Sequence, residues 1–175
     1  KSAILALLFG FGWIVAGAAD RIYTNPRPEA YLKQLFPTAA GFSPLGGEPL
    51  HFNVYAVDPR ANPASRPVGF AFWTPDLVPD EHGYHGPIHI LVGMDLTGTL
   101  TGVVVDHDTE PYGHCSVEPP RFAAQFKGKN IRDPFRVGVD VDAVSSASIS
   151  LASATRAIRD SARLIAKELL PDAEK

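Results

Sequence analysis

The chain has 175 residues, of which 45% are hydrophobic and 20% charged, the make-up of one folded domain of ordinary size rather than a disordered tail. Lys and Arg total 16 against 19 Asp and Glu, a net charge of -3 that leaves no electrostatic footprint for a nucleic-acid backbone. The single cysteine, Cys115, excludes an internal disulfide framework and a cysteine-only metal or iron-sulfur site within the chain.

The uncharged run from Ser2 to Ala19, bounded by Lys1 and by Asp20 and Arg21, reaches about 27 Å as a helix, enough to span the hydrocarbon of a bilayer. Trp13 suits an interface, and Gly10, Gly12 and Gly17 suit lipid or helix-helix contact better than a buried soluble helix. A secretory signal with Ala16-Gly17-Ala18 before the cleavage point is the rival reading. We expect an anchor at 2–19. Lys1 before it and Arg21, Arg27 and Lys33 after it do not settle its orientation.

Between Asn25 and Pro49 five prolines and three glycines predict a linker over 20–50, with a short helix from Glu29 to Phe36 inside it. The remaining 51–170 read as one domain. Alternation predicts strands over His51–Val57 and Val68–Trp73. Two more, Ile88–Met94 and Leu100–Val105, flank the turn Asp95-Leu96-Thr97-Gly98 and are expected to form the central antiparallel pair. A short helix is expected over Pro119–Phe126, opened by a proline pair, then a last strand over Phe135–Val141. From about Ser148 to Leu170, Leu151, Ala154, Ile158, Ala162, Ile165 and Leu169 recur at steps of three and four, the stripe of an amphipathic helix. The fold class is therefore α+β, an antiparallel sheet with flanking helices, preceded by one N-terminal transmembrane helix.

Several clusters invite a chemical reading. His82, His85 and His89 have metal-like spacing, but Gly83, Gly86 and Pro87 interrupt any helix that would align them, and we read them as loop histidines bonded to backbone or facing water. No Gly-x-Ser-x-Gly elbow supports a serine nucleophile beside His107 and Asp106, and Cys115 beside His114 reads as a half-buried inert thiol. Walker-type and dinucleotide-binding glycine loops do not occur. The run Asp142-Ala143-Val144-Ser145-Ser146-Ala147-Ser148 at the entrance of the last helix has a plain reading, a serine N-cap contributing about 1 kcal/mol. It also has a functional one, a phosphate held on the helix N-terminus.

Four segments, Gly83-Tyr84-His85-Gly86-Pro87-Ile88, Leu91-Val92-Gly93-Met94-Asp95, His107 with Glu110-Pro111-Tyr112-Gly113, and Asp142 to Ser148, resemble in order the FMN-binding domain family. The nearest likeness, through Glu110-Pro111-Tyr112-Gly113 and Ile131-Arg132-Asp133-Pro134, is to the periplasmic domain of the nitrous-oxide-reductase regulator NosR, a relative of the FMN-bearing subunits of the Nqr and Rnf membrane redox complexes. The resemblance spans roughly Gly83 to Leu169. It implies FMN joined by a phosphoester to a threonine in a pattern like Asp-x-x-Ser-Gly-Ala-Thr, installed by a flavin transferase. Here Asp142, Ser145 and Ala147 match, Ser146 stands at the glycine and Ser148 at the acceptor. It further implies Tyr84 and Gly86 beside the flavin, Glu110 and His107 near the entrance loop, and no catalytic side chain or metal ligand. The expected whole is an electron-transfer domain anchored in the inner membrane, facing the periplasm, with an integral membrane redox or photosynthetic complex as partner. The alternative is a flavin-free accessory or assembly subunit of such a complex.

Overall fold

The structure, a computed structural model, describes residues 28–170. The predicted span 2–19 lies outside them. Among the described residues no helix is long and apolar enough to cross a membrane. In chain order the elements are α1 (Glu29–Leu35), β1 (Gly41–Phe42), β2 (Phe52–Tyr55), β3 (Pro67–Trp73), α2 (Thr74–Leu77), β4 (His89–Asp95), β5 (Leu100–His107), a 3-10 turn at Gly113–Cys115, α3 (Pro120–Ala124) and α4 (Ser148–Leu169). The five strands form one antiparallel sheet in sequence order, β1 to β5. The architecture is α+β, as expected.

Alternation along the strands divides the core between the two faces of the sheet. Phe70 and Phe72 of β3, Ile90, Val92 and Met94 of β4, and Leu100 and Val103 of β5 pack with Leu151, Ala154, Ile158, Ala162 and Ile165 of α4. Ala71, Trp73, Leu91 and Val104 turn to the opposite face and meet Leu32, Leu35 and Phe36 from α1 and its end. A strand buried on both faces is apolar at nearly every position, as β4 is. Each fully buried Phe or Ile contributes about 1.5–3 kcal/mol to holding these layers together.

The stretch read as linker thus supplies, from residue 28 onward, one layer of the core. Its prolines and glycines bound the helix, while Leu32, Leu35 and Phe36 at helical spacing carry the packing. Close seating depends on Gly93: a Cβ there would lie 2.4 Å from Thr101 Oγ1, 2.9 Å from the Phe36 ring and 3.1 Å from Leu35 Cβ.

Two expectations need correction. β4 and β5 do pair antiparallel, but β5 is an edge strand, so the pair is not central, and the middle strand of the sheet is β3. The start of that edge is covered by the chain after α3, where Leu100 N–H donates to Lys129 O and Gly128 N–H to Leu100 O. Nor is Phe135–Val141 a strand, because Asp140 gathers it into a loop. Its carboxylate accepts the amides of Phe135 (3.1 Å) and Arg136 (2.6 Å) and pairs with Lys129 at 2.9 Å. Phe135 takes φ 49° and Gly138 φ 80°, and the bridge Val137–Val141 is isolated. The β4–β5 turn follows its sequence: Asp95 Oδ1 accepts the Thr97 and Thr99 amides at 2.8 and 3.0 Å, and Gly98 takes φ 77°.

Gly93→Ala is predicted to force α1 off the sheet and lower stability by about 1–3 kcal/mol. Urea unfolding of the variant checks this, and a loss below about 0.5 kcal/mol contradicts the close seating of α1.

Candidate functional site

Glu110 follows β5 and is only 8% exposed. Its Oε2 accepts the Tyr84 amide at 2.8 Å and its Oε1 the His85 amide at 3.0 Å. The Gly86 amide and the Ser150 hydroxyl complete the set of donors. One carboxylate therefore ties the loop before β4 and the loop after β5 to the first turn of α4. Gly83 makes room for it: a Cβ there would lie 2.5–2.8 Å from the carboxylate atoms. The 83–86 turn is closed by Gly83 N–H donating to Gly86 O (2.8 Å), and the 108–113 turn by Glu110 N–H donating to Asp108 Oδ1 (3.0 Å).

Burial alone would raise the Glu110 pKa, but the Ser150 hydroxyl and the amides of His85, Tyr84 and Gly86 outweigh it and hold the carboxyl below its ordinary value. A second carboxylate fastens the same region to α4. Glu81 pairs in bidentate fashion with Arg156, at 2.7 and 3.0 Å, and this hydrogen bond lowers the Glu81 pKa and raises that of Arg156.

At the N-terminus of α4 the chain departs from the serine cap read in the sequence. The N-cap residue is Ala147, and no side chain bonds the first free amides. Ser145, Ser146 and Ser148 are exposed, whereas Ser150 is buried against Glu110. Ser146 takes φ 70°, the left-handed conformation in which the family's glycine has no steric penalty. The backbone shape that the Ser-for-Gly difference calls into question is thus adopted with serine in place.

Around this helix end lies a cleft of about 400 Å³, within the usual range of small-molecule sites of about 300–1,000 Å³. Tyr84, Ser146, Ala147 and Ser148 line it, joined by Pro111, Tyr112, Ile149 and Ser150, to which the sequence assigned no site role. The signal for Tyr112 was the Glu-Pro-Tyr-Gly stretch. Ser145 lines a neighbouring cavity with Arg121 and Gln125. Gly86 and Glu110 stand behind the cleft wall, in the hydrogen-bonded knot. His107 pairs with His89 across the β4–β5 ladder, ring centroids 6.1 Å apart, and is not among the cleft-lining residues. Burial, and then the neighbouring His107 charge, lower the His89 pKa.

Of the three histidines read as loop residues, His82 and His85 are such, with His82 Nε2 bonded to Pro79 O (2.9 Å) and His85 Nδ1 to Thr109 O (3.1 Å), whereas His89 is the first residue of β4. Cys115 is half-buried, its thiol donating to Tyr112 O at 3.3 Å.

The cleft fits an FMN on its own chemistry. Uncapped amides and serine hydroxyls suit a phosphate at one side, and exposed aromatic and aliphatic side chains suit a flat ring system beside them.

Glu110→Gln is predicted to cost about 2–4 kcal/mol, because a carboxamide turns N–H donors toward backbone amides. A carboxyl whose folded pKa lies below the unfolded one stabilises above about pH 4.5 and loses that contribution as pH falls through the folded value. The gap between wild type and Glu110→Gln in urea unfolding should therefore be full at pH 7 and shrink below pH 4.5; a gap that widens on acidification contradicts this. Ser146→Gly should leave stability unchanged or raise it by up to about 1 kcal/mol, and Ser146→Val should lower it by about 1–2 kcal/mol. Thermal melts of both variants check the left-handed backbone.

Residues 83–163 match the model of the FMN-binding domain. No curated protein matches the chain. The matched segment begins at Gly83, beside the Glu110 carboxylate, and runs through β4, β5 and α3 into α4, so it contains every lining residue of the cleft. Over residues 83–163 the chain is therefore similar to the FMN-binding domain family, a match that supports FMN as its cofactor.

Proposed function

We propose that the chain is a membrane-anchored electron-transfer flavoprotein of the NosR-like type, with FMN in the cleft at the N-terminus of α4 and its phosphate esterified to Ser148 Oγ. The observation that carries the attachment is the position of Ser148: first residue of α4, exposed, in the cleft, on a helix end whose amides no side chain caps. Ser150 is spent on Glu110, and Ser145 faces the neighbouring cavity.

FMN, when bound, supplies one- and two-electron transfer at its ring. The chain's own part is to bind and orient. The α4 amides and the positive end of its dipole favour the phosphate. Glu110 has its acceptor positions filled by three amides and a hydroxyl, so it fixes geometry and is not available to move protons. Forming the ester joins Ser148 Oγ to the ribityl phosphorus, releases the hydroxyl proton and expels a leaving group. An unactivated FMN offers only water in that role, so the donor is a flavin dinucleotide, which releases a nucleoside monophosphate in the hands of a flavin transferase.

The uncharged run Ser2–Ala19 supports an anchor in the inner membrane. In this reading the folded domain faces the periplasm, and the electron partner is an integral membrane redox or photosynthetic complex. A flavin-free accessory role would rest on Ser146 and Ser148 standing where the FMN-binding pattern has Gly and Thr. Ser146 already holds the backbone that glycine would take, and Ser148 keeps a hydroxyl at the acceptor position.

Co-expression of the full chain with a flavin transferase tests the attachment. Wild type and Ser148→Thr should show fluorescent denatured bands and the mass of one esterified FMN, and Ser148→Ala should show neither while keeping its circular dichroism. Covalent flavin on Ser148→Ala overturns the assignment, as does a wild-type chain that never acquires it.

A further inference from the structure

The residues lining the cleft include no ionisable acid or base of the Asp, Glu, Lys, Arg or His type. What it presents instead is apolar surface. Tyr84 is 65% exposed, Tyr112 52% and Ile149 55%, three of the large apolar residues that the fold leaves open, brought together in one place. Isolated exposed apolar side chains are ordinary, but a concave cluster of them marks a surface meant to be covered.

Neither tyrosine is on a loose segment. The Tyr84 amide is held by Glu110 Oε2 at 2.8 Å. The Tyr112 carbonyl accepts the amides of Cys115 and Ser116 at 3.1 Å each and the Ser116 hydroxyl at 2.9 Å. Each backbone is fixed while each side chain stays more than half exposed, the Tyr84 ring tilted against His85 with centroids 5.1 Å apart, the arrangement of a preorganised aromatic contact. The two come from different loops, yet Glu110 bonds directly to the Tyr84 amide and stands two residues before Tyr112 in the chain.

We infer that the cleft captures its ligand by the ring: Tyr84 and Tyr112 are specificity-determining contacts for a planar heteroaromatic system, with Ile149 as the aliphatic side of the seat. The inference rests on the reading that FMN occupies this cleft and adds how it is selected. With only neutral donors for the phosphate, the anionic tail orients the ligand and the ring supplies most of its hold. Riboflavin, which has the ring and lacks the phosphate, is then a ligand in its own right, and ring capture precedes the ester to Ser148. Aromatic stacking of this kind is sensitive to removal of either face and indifferent to a phenolic hydroxyl.

The test uses the full chain in detergent, produced without a flavin transferase so that Ser148 is free, titrated with riboflavin and with FMN. Tyrosine stacked on a flavin quenches its fluorescence, which gives a readout independent of electron-transfer activity. Wild type and Tyr112→Phe should bind both ligands with quenching. Tyr112→Ala should bind each about ten-fold more weakly, with fluorescence recovered in the bound state, and Tyr84→Ala should behave likewise. Both side chains are exposed, so unchanged circular dichroism serves as the folding control. Equal affinity and equal quenching in the alanine variants overturn ring capture alone, as does a wild type that binds FMN and not riboflavin. A wild type that binds neither flavin overturns ring capture, while the cleft assignment stands or falls separately on covalent flavin at Ser148.

Discussion

A single buried carboxylate, that of Glu110, sets the geometry on which the functional end of the molecule depends. It gathers amides from Tyr84, His85 and Gly86 and the hydroxyl of Ser150. None of these groups belongs to a strand, and together with the Glu81–Arg156 pair the carboxylate ties the loops that carry them to α4. Charge-assisted hydrogen bonds to a buried anion are stronger than neutral ones, and an unsatisfied one is expensive, so the arrangement is close to all-or-none. The requirement for Gly83 follows from the same contact, since any side chain would enter the carboxylate.

The remainder of the fold supplies the frame on which that knot is tied. The sheet is covered by α4 on one face and α1 on the other, and α4 approaches closely because small residues such as Ala154, Ser161 and Ala162 are buried along it. Glu81 with Arg156 clamps the loop before β4 farther along the helix, and Arg163 donates to Ile131 O and Asp133 O at 3.0 and 2.9 Å, fixing the segment after α3. α4 is thereby tied at three places along its length, Ser150, Arg156 and Arg163, while the amides of its first turn stay uncapped. Leaving that end open forgoes a cap worth about 1 kcal/mol, which is the kind of local sacrifice a binding site makes.

Much of this was readable from residue patterns, for reasons that differ from element to element. α4 announced itself by Leu151, Ile158 and Ile165 at helical spacing, and the β4–β5 hairpin by Asp95 and Gly98, because both signals are local. The loop at 135–141 imitated a strand through its alternating valines, and only the convergence of three donors on Asp140, one of them from Lys129, overrides that pattern. The layer built by α1 was obscured by the prolines around it, although Leu32, Leu35 and Phe36 held the information. At the site, Ser146, Ala147, Ser148 and Tyr84 do meet in one cleft. Glu110 and Gly86 instead support its wall, and His107 stands apart with His89. Whether a tyrosine such as Tyr112 is exposed or buried is a property of three-dimensional packing, which sequence spacing does not encode.

The central claim is that the cleft at the start of α4 is where this chain carries FMN. The most direct measurement is a peptide map by mass spectrometry of the full chain purified from its native source, over Asp142 to Arg156, with the flavin released on denaturation assayed in parallel. One FMN esterified to the Ser148 peptide is the predicted result. An unmodified Ser148 peptide from a preparation that also releases no flavin contradicts the account.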